Sequence, residues 1–232
     1  MEPDEQYYSR HPRFHVALDC IIFGFDGGEL KLLIHRRRFE PFRGHWSLFG
    51  GFLHEDESLD EAADRILREL TGLENIYMEQ LQTYGETDRD PAGRVISVAY
   101  YALIPAHRYS ATYSQQYGAT WVSLHELPGL IMDHNEMVNK GLRRLRRRAS
   151  SQPIGFELLP KEFTLPQLQS LYEAIFQSGL DKRNFRKKIL SMDILIKLEK
   201  KDMVNSRKGA FLYRFDRKKY KSLLEAGTGF TL

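Results

Sequence analysis

Between Gly50 and Leu73 the chain reads GGFLHEDESLDEAADRILRELTGL. A glycine pair makes a turn, Glu55, Asp56 and Glu57 make an acidic loop, and Ser58 opens a helix that Gly72 closes. Carboxylates in such a loop and on such a helix could hold Mg2+, which takes one or two carboxylates and leaves its other positions to substrate phosphates. Residues three and four apart share one helix face, so Ile66 stands beside Glu69 and Leu70. Neither Ile nor Leu can ligate a metal or accept a proton. Glu57 and Glu69 leave weak metal binding open, but a well-held activated water is not expected. Glu69 reads equally well as a solvated helix residue.

A second group of chemically able residues lies far along the chain. Asp181 is a good N-cap, and the helix after it, KRNFRKKIL, turns Phe185 and Ile189 inward, with Leu190 as a further inward candidate. Arg183, Asn184, Arg186, Lys187 and Lys188 can then project outward. Arg reads guanine and Asn reads adenine through paired hydrogen bonds, which makes Arg183 and Asn184 candidates for base contacts. Arg186, Lys187, Lys188, Arg207 and Lys208 suit phosphates, which position a protein without specifying sequence. Any single lysine here also reads as an ordinary solvated residue.

Elements that could position these groups follow from pattern. Residues 14–25 and 30–35 read as a hairpin around Asp26-Gly27-Gly28. Residues 39–51 read as a loop, 76–84, 95–104 and 119–122 as strands, and 135–148 as a helix. His15 and Asp19 alternate with apolar residues on the first strand, so either could be a satisfied buried polar group. Residues 150–155, SSQPIG, look like a joint, which puts the domains at 1–149 and 150–232. Past it come an amphipathic helix over 165–176, a turn at Ser178-Gly179-Leu180, the Asp181-capped helix, and strands at 194–198 and 210–215 around a basic tip. Two helices joined by a tight turn, then a hairpin, is the order of a winged helix-turn-helix, and helix 135–148 could supply its first helix. The run LRRLRRR at 142–148 reads either as a solvated helix face or as a phosphate contact.

Composition agrees with two unlike halves. Residues 1–139 hold 12 Lys+Arg against 22 Asp+Glu, a net of −10, whereas residues 140–232 hold 22 against 9, a net of +13. Such asymmetry suggests different partners, and the basic half would seek phosphate; two ordinary solvated surfaces is the plainer reading. The one cysteine, Cys20, sits in an apolar run and reads as a buried structural thiol. No apolar run approaches the roughly 18 residues of a membrane span, and the acidic start does not read as a signal peptide, so a cytoplasmic protein without membrane contact is expected.

The Gly50–Leu73 stretch resembles a Nudix box, with Gly51, Glu57, Arg65, Leu67, Glu69, Gly72 and Leu73 in place. Ile66 and Leu70 replace two of its metal-binding carboxylates, and Phe49 stands where the family usually has proline before the double glycine. Together with PFRGHWSL at 41–48, residues 79–104 and residues 163–190, it resembles the Nudix-related transcriptional regulators. The likeness covers nearly the whole chain past residue 10, and the chain looks most like an arabinose-responsive branch with decayed boxes. The resemblance implies an α+β protein, a Nudix-like α/β/α sandwich followed by a winged helix, with Arg65 bracing Glu57. In that fold the box turn, the loop before it and the strand-end arginines converge on a pocket. Arg36, Arg38, His45, Trp46, Glu57 and Glu69 are the candidate effector contacts, although Trp46 also reads as a loop anchor and the arginines as a solvated strand end.

The expected function is DNA-binding regulation of sugar catabolism, as a repressor controlled by a small effector, L-arabinose, and not enzymatic. An ADP-ribose-sensing regulator and a hydrolase of a nucleoside-diphosphate sugar are the alternatives. An RNA-binding Nudix module is a third reading, which the helix-plus-hairpin order argues against. Double-stranded operator DNA and a homodimer are the expected partners; no cofactor and no metal site are expected.

Overall fold

The computed structural model describes residues 9–106, 118–204, 209–226 and 230. Its N-terminal part is built on a mixed sheet of β1 (His15–Phe25), β2 (Leu30–Arg36), β3 (Trp46–Ser47), β4 (Phe49–Phe52), β5 (Glu79–Tyr84), β6 (Val95–Pro105) and β7 (Ala119–Ser123). β1 is central. It runs antiparallel to β2 and β4 and parallel to β6, while β3 and β7 pair with β2 and β5 pairs with β6.

Alternation along β1 sends side chains to two cores. Leu18, Cys20 and Ile22 meet Ala62, Ala63, Ile66 and Leu67 of helix α1 (Leu59–Thr71). Ile21, Phe23 and Phe25 face Met137, Val138, Leu142 and Leu145 of helix α2 (His134–Ser151). The result is the expected α/β/α sandwich. α1 is fixed at both ends: Ser58 and Glu61 form a capping box, and Gly72 takes the left-handed conformation that glycine reaches without strain. Cys20 is fully buried, and burial pushes its thiol pKa up, as expected of a structural residue.

The C-terminal part holds a 3-10 turn (Phe156–Leu158), β8 (Phe163–Thr164), α3 (Leu165–Phe176), α4 (Lys182–Ser191), β9 (Leu195–Asp202), β10 (Ala210–Phe215) and α5 (Arg217–Glu225). β8, β10 and β9 form a three-stranded antiparallel sheet beside the two helices, a winged helix. Thr164 and Gln167 make a second capping box at α3, and Asp181 caps α4 through the Asn184 N–H.

Hydrophobic contact is continuous between the two parts. The core on the α2 face of the large sheet runs on into Leu168, Leu171, Tyr172, Ile175, Phe185 and Ile189. Residues 150–151 are the last turn of α2, so the chain leaves the helix at Gln152. The expected run of arginines on α2 has a specific use. Arg146 donates to the Ile175 carbonyl at 3.1 Å and to Gln177, holding the C-terminal end of α3. Arg148 bonds Glu79 and the Tyr101 hydroxyl, and Arg144 lies 3.6 Å from Glu79. Three of the five arginines therefore clasp neighbouring elements, and Arg143 and Arg147 face solvent. Among the described residues, no helix is long and apolar enough to cross a membrane.

Candidate functional site

A cleft of about 200 Å3 opens where the ends of β1, β2 and β4 meet the start of α2. Its lining includes Asp19, His35, Arg37, Phe39, Leu48, Gly50, Gly51, Phe52, Leu70, Arg89, Asp90 and His134. Asp19 projects from β1 to the α2 face and anchors a buried polar network. It accepts from Ser97 Oγ at 2.6 Å, lies 3.6 Å from the Arg89 guanidinium, and lies 3.5 Å from His134 Nε2. Arg89 donates twice to Asp133, at 2.9 and 2.8 Å. Gly50 makes room for this network: a Cβ there would come within 2.5 Å of Asp19 Oδ1 and 2.8 Å of the Leu18 carbonyl oxygen.

Two histidines grip the backbone of Leu48 from either side, at the cleft wall. His134 Nδ1 accepts the Leu48 N–H at 3.1 Å, and His35 Nε2 lies 3.1 Å from the Leu48 carbonyl, to which it donates. Burial lowers the pKa of both rings, more than neighbouring charges or the Leu48 carbonyl compensate. Both are neutral at neutral pH, which leaves His134 Nδ1 free to accept and its Nε2–H directed at Asp19. His35 also stacks on Phe49, with ring centroids 4.6 Å apart. The residue in place of the family's proline is thus a fully buried packing partner.

The box has become partly hydrocarbon. Ile66 is buried beneath the turn, where a Cβ on Gly51 would sit 3.0 Å from its Cγ1, and half-buried Leu70 lines the cleft. Glu57 is committed to Arg65, as the resemblance implied, with N–O distances of 2.6 and 2.8 Å. That pairing, aided by the His54 N–H, holds the Glu57 carboxyl pKa down to about 2. Arg65 also donates to the Phe52 carbonyl and reaches Glu69, tying loop to helix. The chemistry of this donor set does not fit Mg2+: among the described residues no group of three His, Cys, Asp or Glu side chains could hold a metal ion.

The other sequence-derived effector candidates stand beside the cleft and do not line it. Arg36 lies over the Trp46 ring at 4.2 Å and donates to the Gly44 carbonyl; His45 is exposed, with Nδ1 3.3 Å from the Arg43 carbonyl. Exposed Arg38 lies against Gly118. The residue between the two named arginines, Arg37, faces the cleft. Strand alternation could have separated it from its neighbours. Arg89, Asp133 and His134 carried no sequence signal, because their meeting with Asp19 depends on tertiary contact.

On the winged helix, Phe185 and Ile189 are buried, and Arg183, Asn184, Arg186, Lys187 and Lys188 are exposed along α4. Leu190 is 38% exposed and so lies outside the core. On the wing, Lys197 and Lys201 lie over Phe211, at 3.9 and 4.9 Å from its ring centroid. Arg207 and Lys208 fall outside the described residues.

Fold and site together define a Nudix domain that lacks two of its metal carboxylates, joined to a winged helix. Residues 13–145 match the NUDIX domain family, and residues 155–215 match the NrtR DNA-binding winged helix domain. The chain belongs to the NrtR-like family of Nudix-related transcriptional regulators. It is 32% identical over 211 residues to an "ADPR responsive transcriptional repressor NtrR" of Acinetobacter baylyi, covering 89% of this chain and 84% of that one. Shewanella oneidensis NrtR, crystallised with a 27mer DNA, superposes with a TM-score of 0.76 at 30% identity, covering 89% of this chain and 95% of that one. The NUDIX domain of the same protein, crystallised with ADP ribose, gives 0.52 at 30% identity, covering 62% and 99%. An ADP-ribose pyrophosphatase of Methanocaldococcus jannaschii is 33% identical over 133 residues, 57% of this chain and 75% of that protein. ADP-ribose is associated with all three relatives and arabinose with none, so the expected kinship with an arabinose branch is not supported.

Proposed function

We propose that this protein is a DNA-binding transcriptional repressor whose Nudix domain senses ADP-ribose without hydrolysing it. The observation that carries this reading is the continuity of α2. Its first residue, His134, is in the cleft, and its last turns clasp α3 and β5 through Arg146 and Arg148. A change in the cleft is thereby one rigid helix away from the helix pair that would dock on DNA. Effector binding alters DNA affinity if it favours one placement of the winged helix over another.

Arg183 and Asn184 contact bases, while Arg186, Lys187, Lys188, Arg207 and Lys208 contact phosphates. Two copies of the chain read two half-sites. ADP-ribose, named for two relatives that match most of this chain or its Nudix part at 30% identity or more, is the effector in place of L-arabinose. The lost carboxylates favour a sensor over a hydrolase.

A gel shift at moderate salt with the DNA upstream of its own gene and with random DNA tests the first half: no preference overturns the regulator reading. Calorimetry with ADP-ribose and with arabinose tests the second. Binding of the former alone is expected, and silence with ADP-ribose removes the effector assignment.

A further inference from the structure

The family resemblance implies a divalent cation between protein and diphosphate, and the donor set does not fit one. We propose that Arg37 is the diphosphate receptor of the cleft and that it binds without a metal ion. The proposal rests on the ADP-ribose reading above and extends it to a residue and a charge mechanism.

Four charged side chains line the cleft: Asp19, Arg37, Arg89 and Asp90. Asp19 is occupied by Ser97 and by contacts with Arg89 and His134, and Arg89 is occupied by Asp133. Asp90 accepts the Ala92 N–H in its own turn at 2.9 Å. Arg37 differs: among the described residues its buried Nε–H has no hydrogen-bond partner. A buried unpaired donor is costly, and an anionic ligand in the cleft, which the guanidinium can turn to meet, would remove that cost.

The guanidinium is held in place while it waits. It lies over the Phe39 ring at 4.2 Å, and the Arg37 backbone is fixed by exchange of hydrogen bonds with Gly44 and His45. Burial lowers its pKa, opposed by the nearby carboxylates of Asp90, Asp19 and Glu40; a guanidinium stays charged under such shifts. Arg presents a planar fork that matches phosphate oxygens, which suits it to this task better than lysine.

Ile66 and Leu70 complete the argument. Carboxylates at these two positions would add one negative charge at the cleft wall (Leu70) and one beneath the Gly51 turn (Ile66), which a bound metal ion would have to offset against a diphosphate. With hydrocarbon there, these positions no longer repel the ligand and the cation has no role. The cleft, at about 200 Å3, is smaller than the roughly 300–1,000 Å3 of sites that enclose a whole small ligand. It therefore holds the diphosphate, and the rest of the effector extends over the rim, where Phe39 and Phe52 line the opening at 59% and 52% exposure.

The test is calorimetry on the full chain in EDTA, with ADP-ribose and with inorganic pyrophosphate as probes, repeated in Mg2+. Wild type is expected to bind ADP-ribose in EDTA, with an affinity that Mg2+ changes by less than about threefold. Arg37→Gln is expected to weaken binding by about tenfold or more, the scale of one charge-assisted pair, and Arg37→Lys by less. Leu70→Glu, a second and independent variant, is expected to weaken binding in EDTA and to regain part of it in Mg2+. Binding that requires Mg2+, Arg37→Gln binding as wild type does, or Leu70→Glu indifferent to EDTA would each overturn the proposal. Pyrophosphate bound in EDTA by wild type and lost in Arg37→Gln, with ADP-ribose not bound, would sink the ADP-ribose assignment and uphold the Arg37 receptor. Neither probe bound would sink both.

Discussion

Acidification should loosen the cleft before it affects the rest of the protein. His35 and His134 are both neutral in the folded chain, gripping the Leu48 backbone N–H and carbonyl, and burial lowers both pKa values. In the unfolded chain each titrates near the ordinary histidine value of about 6.5. The folded state therefore binds fewer protons than the unfolded state as pH falls through about 6.5. Stability is full above that value and declines below it until the folded pKa is reached. Between pH ~7.5 and pH ~5.5 each histidine therefore removes up to about 1.4 kcal/mol, and the pair up to about 2.7 kcal/mol. Protonation of His134 would also replace its Nδ1 acceptor by a second N–H facing the Leu48 N–H. Urea unfolding at the two pH values, followed by tryptophan fluorescence, measures the loss. His134→Gln, whose amide oxygen can still accept the Leu48 N–H, should cut the pH-dependent loss by about half. A flat response over this range, or the same slope in wild type and His134→Gln, would refute the account of these two histidines.

Three further outcomes follow from named contacts. Arg89→Ala would leave Asp133 and Asp19 without their buried partner, and should cost about 3–5 kcal/mol, read as a fall in melting temperature of roughly 2–4 °C per kcal/mol. Gly50→Ala should destabilise by about 1–3 kcal/mol through crowding of Asp19 and the Leu18 carbonyl, checked by the urea midpoint. On DNA, Arg183→Ala should cost about 1–3 kcal/mol and relax sequence preference, whereas Lys187→Ala should weaken all sequences alike and lower the salt-dependence slope by about one, both measured by anisotropy titration.

Much of the architecture was written in local pattern. The β1–β2 hairpin, α1 with its Ser58 and Gly72 ends, α3, and the Asp181-capped α4 came out as read, because capping residues and apolar spacing act over a few residues. β3 and β4, at two and four residues, lie in a stretch whose pattern reads as loop: they are too short for alternation to show, and the glycines hide them. Helix α5, RKKYKSLLE, has no fully buried residue; only Tyr220 and Leu223 pack partly on the core, a stripe too short beside its lysines to mark a helix. β9 runs to Asp202, four residues past the expected end, because pairing with β10 continues through charged residues that carry no strand signal.

The candidate site was legible in a different way. Ile66 and Leu70 stand out as failed ligands through the resemblance to a Nudix box, and Asp19 as a buried polar candidate through alternation on β1. The cleft itself joins β1, β2, the 85–90 turn and α2, and only the fold brings Asp19, Arg37, Arg89 and His134 together. Arg36 and Arg38, chosen as strand-end charges, flank the residue that points inward.

The central claim is that the Nudix domain reports ADP-ribose to the winged helix and leaves it intact. The direct measurement is a titration of labelled upstream DNA with the full-length protein, with and without ADP-ribose in Mg2+, followed by chromatography of the nucleotide recovered from the mixture. The account predicts that the DNA-binding midpoint moves by about fivefold or more and that the ADP-ribose is recovered unchanged. A midpoint that stays fixed while ADP-ribose is bound, or ADP-ribose consumed to AMP and ribose phosphate, would contradict it.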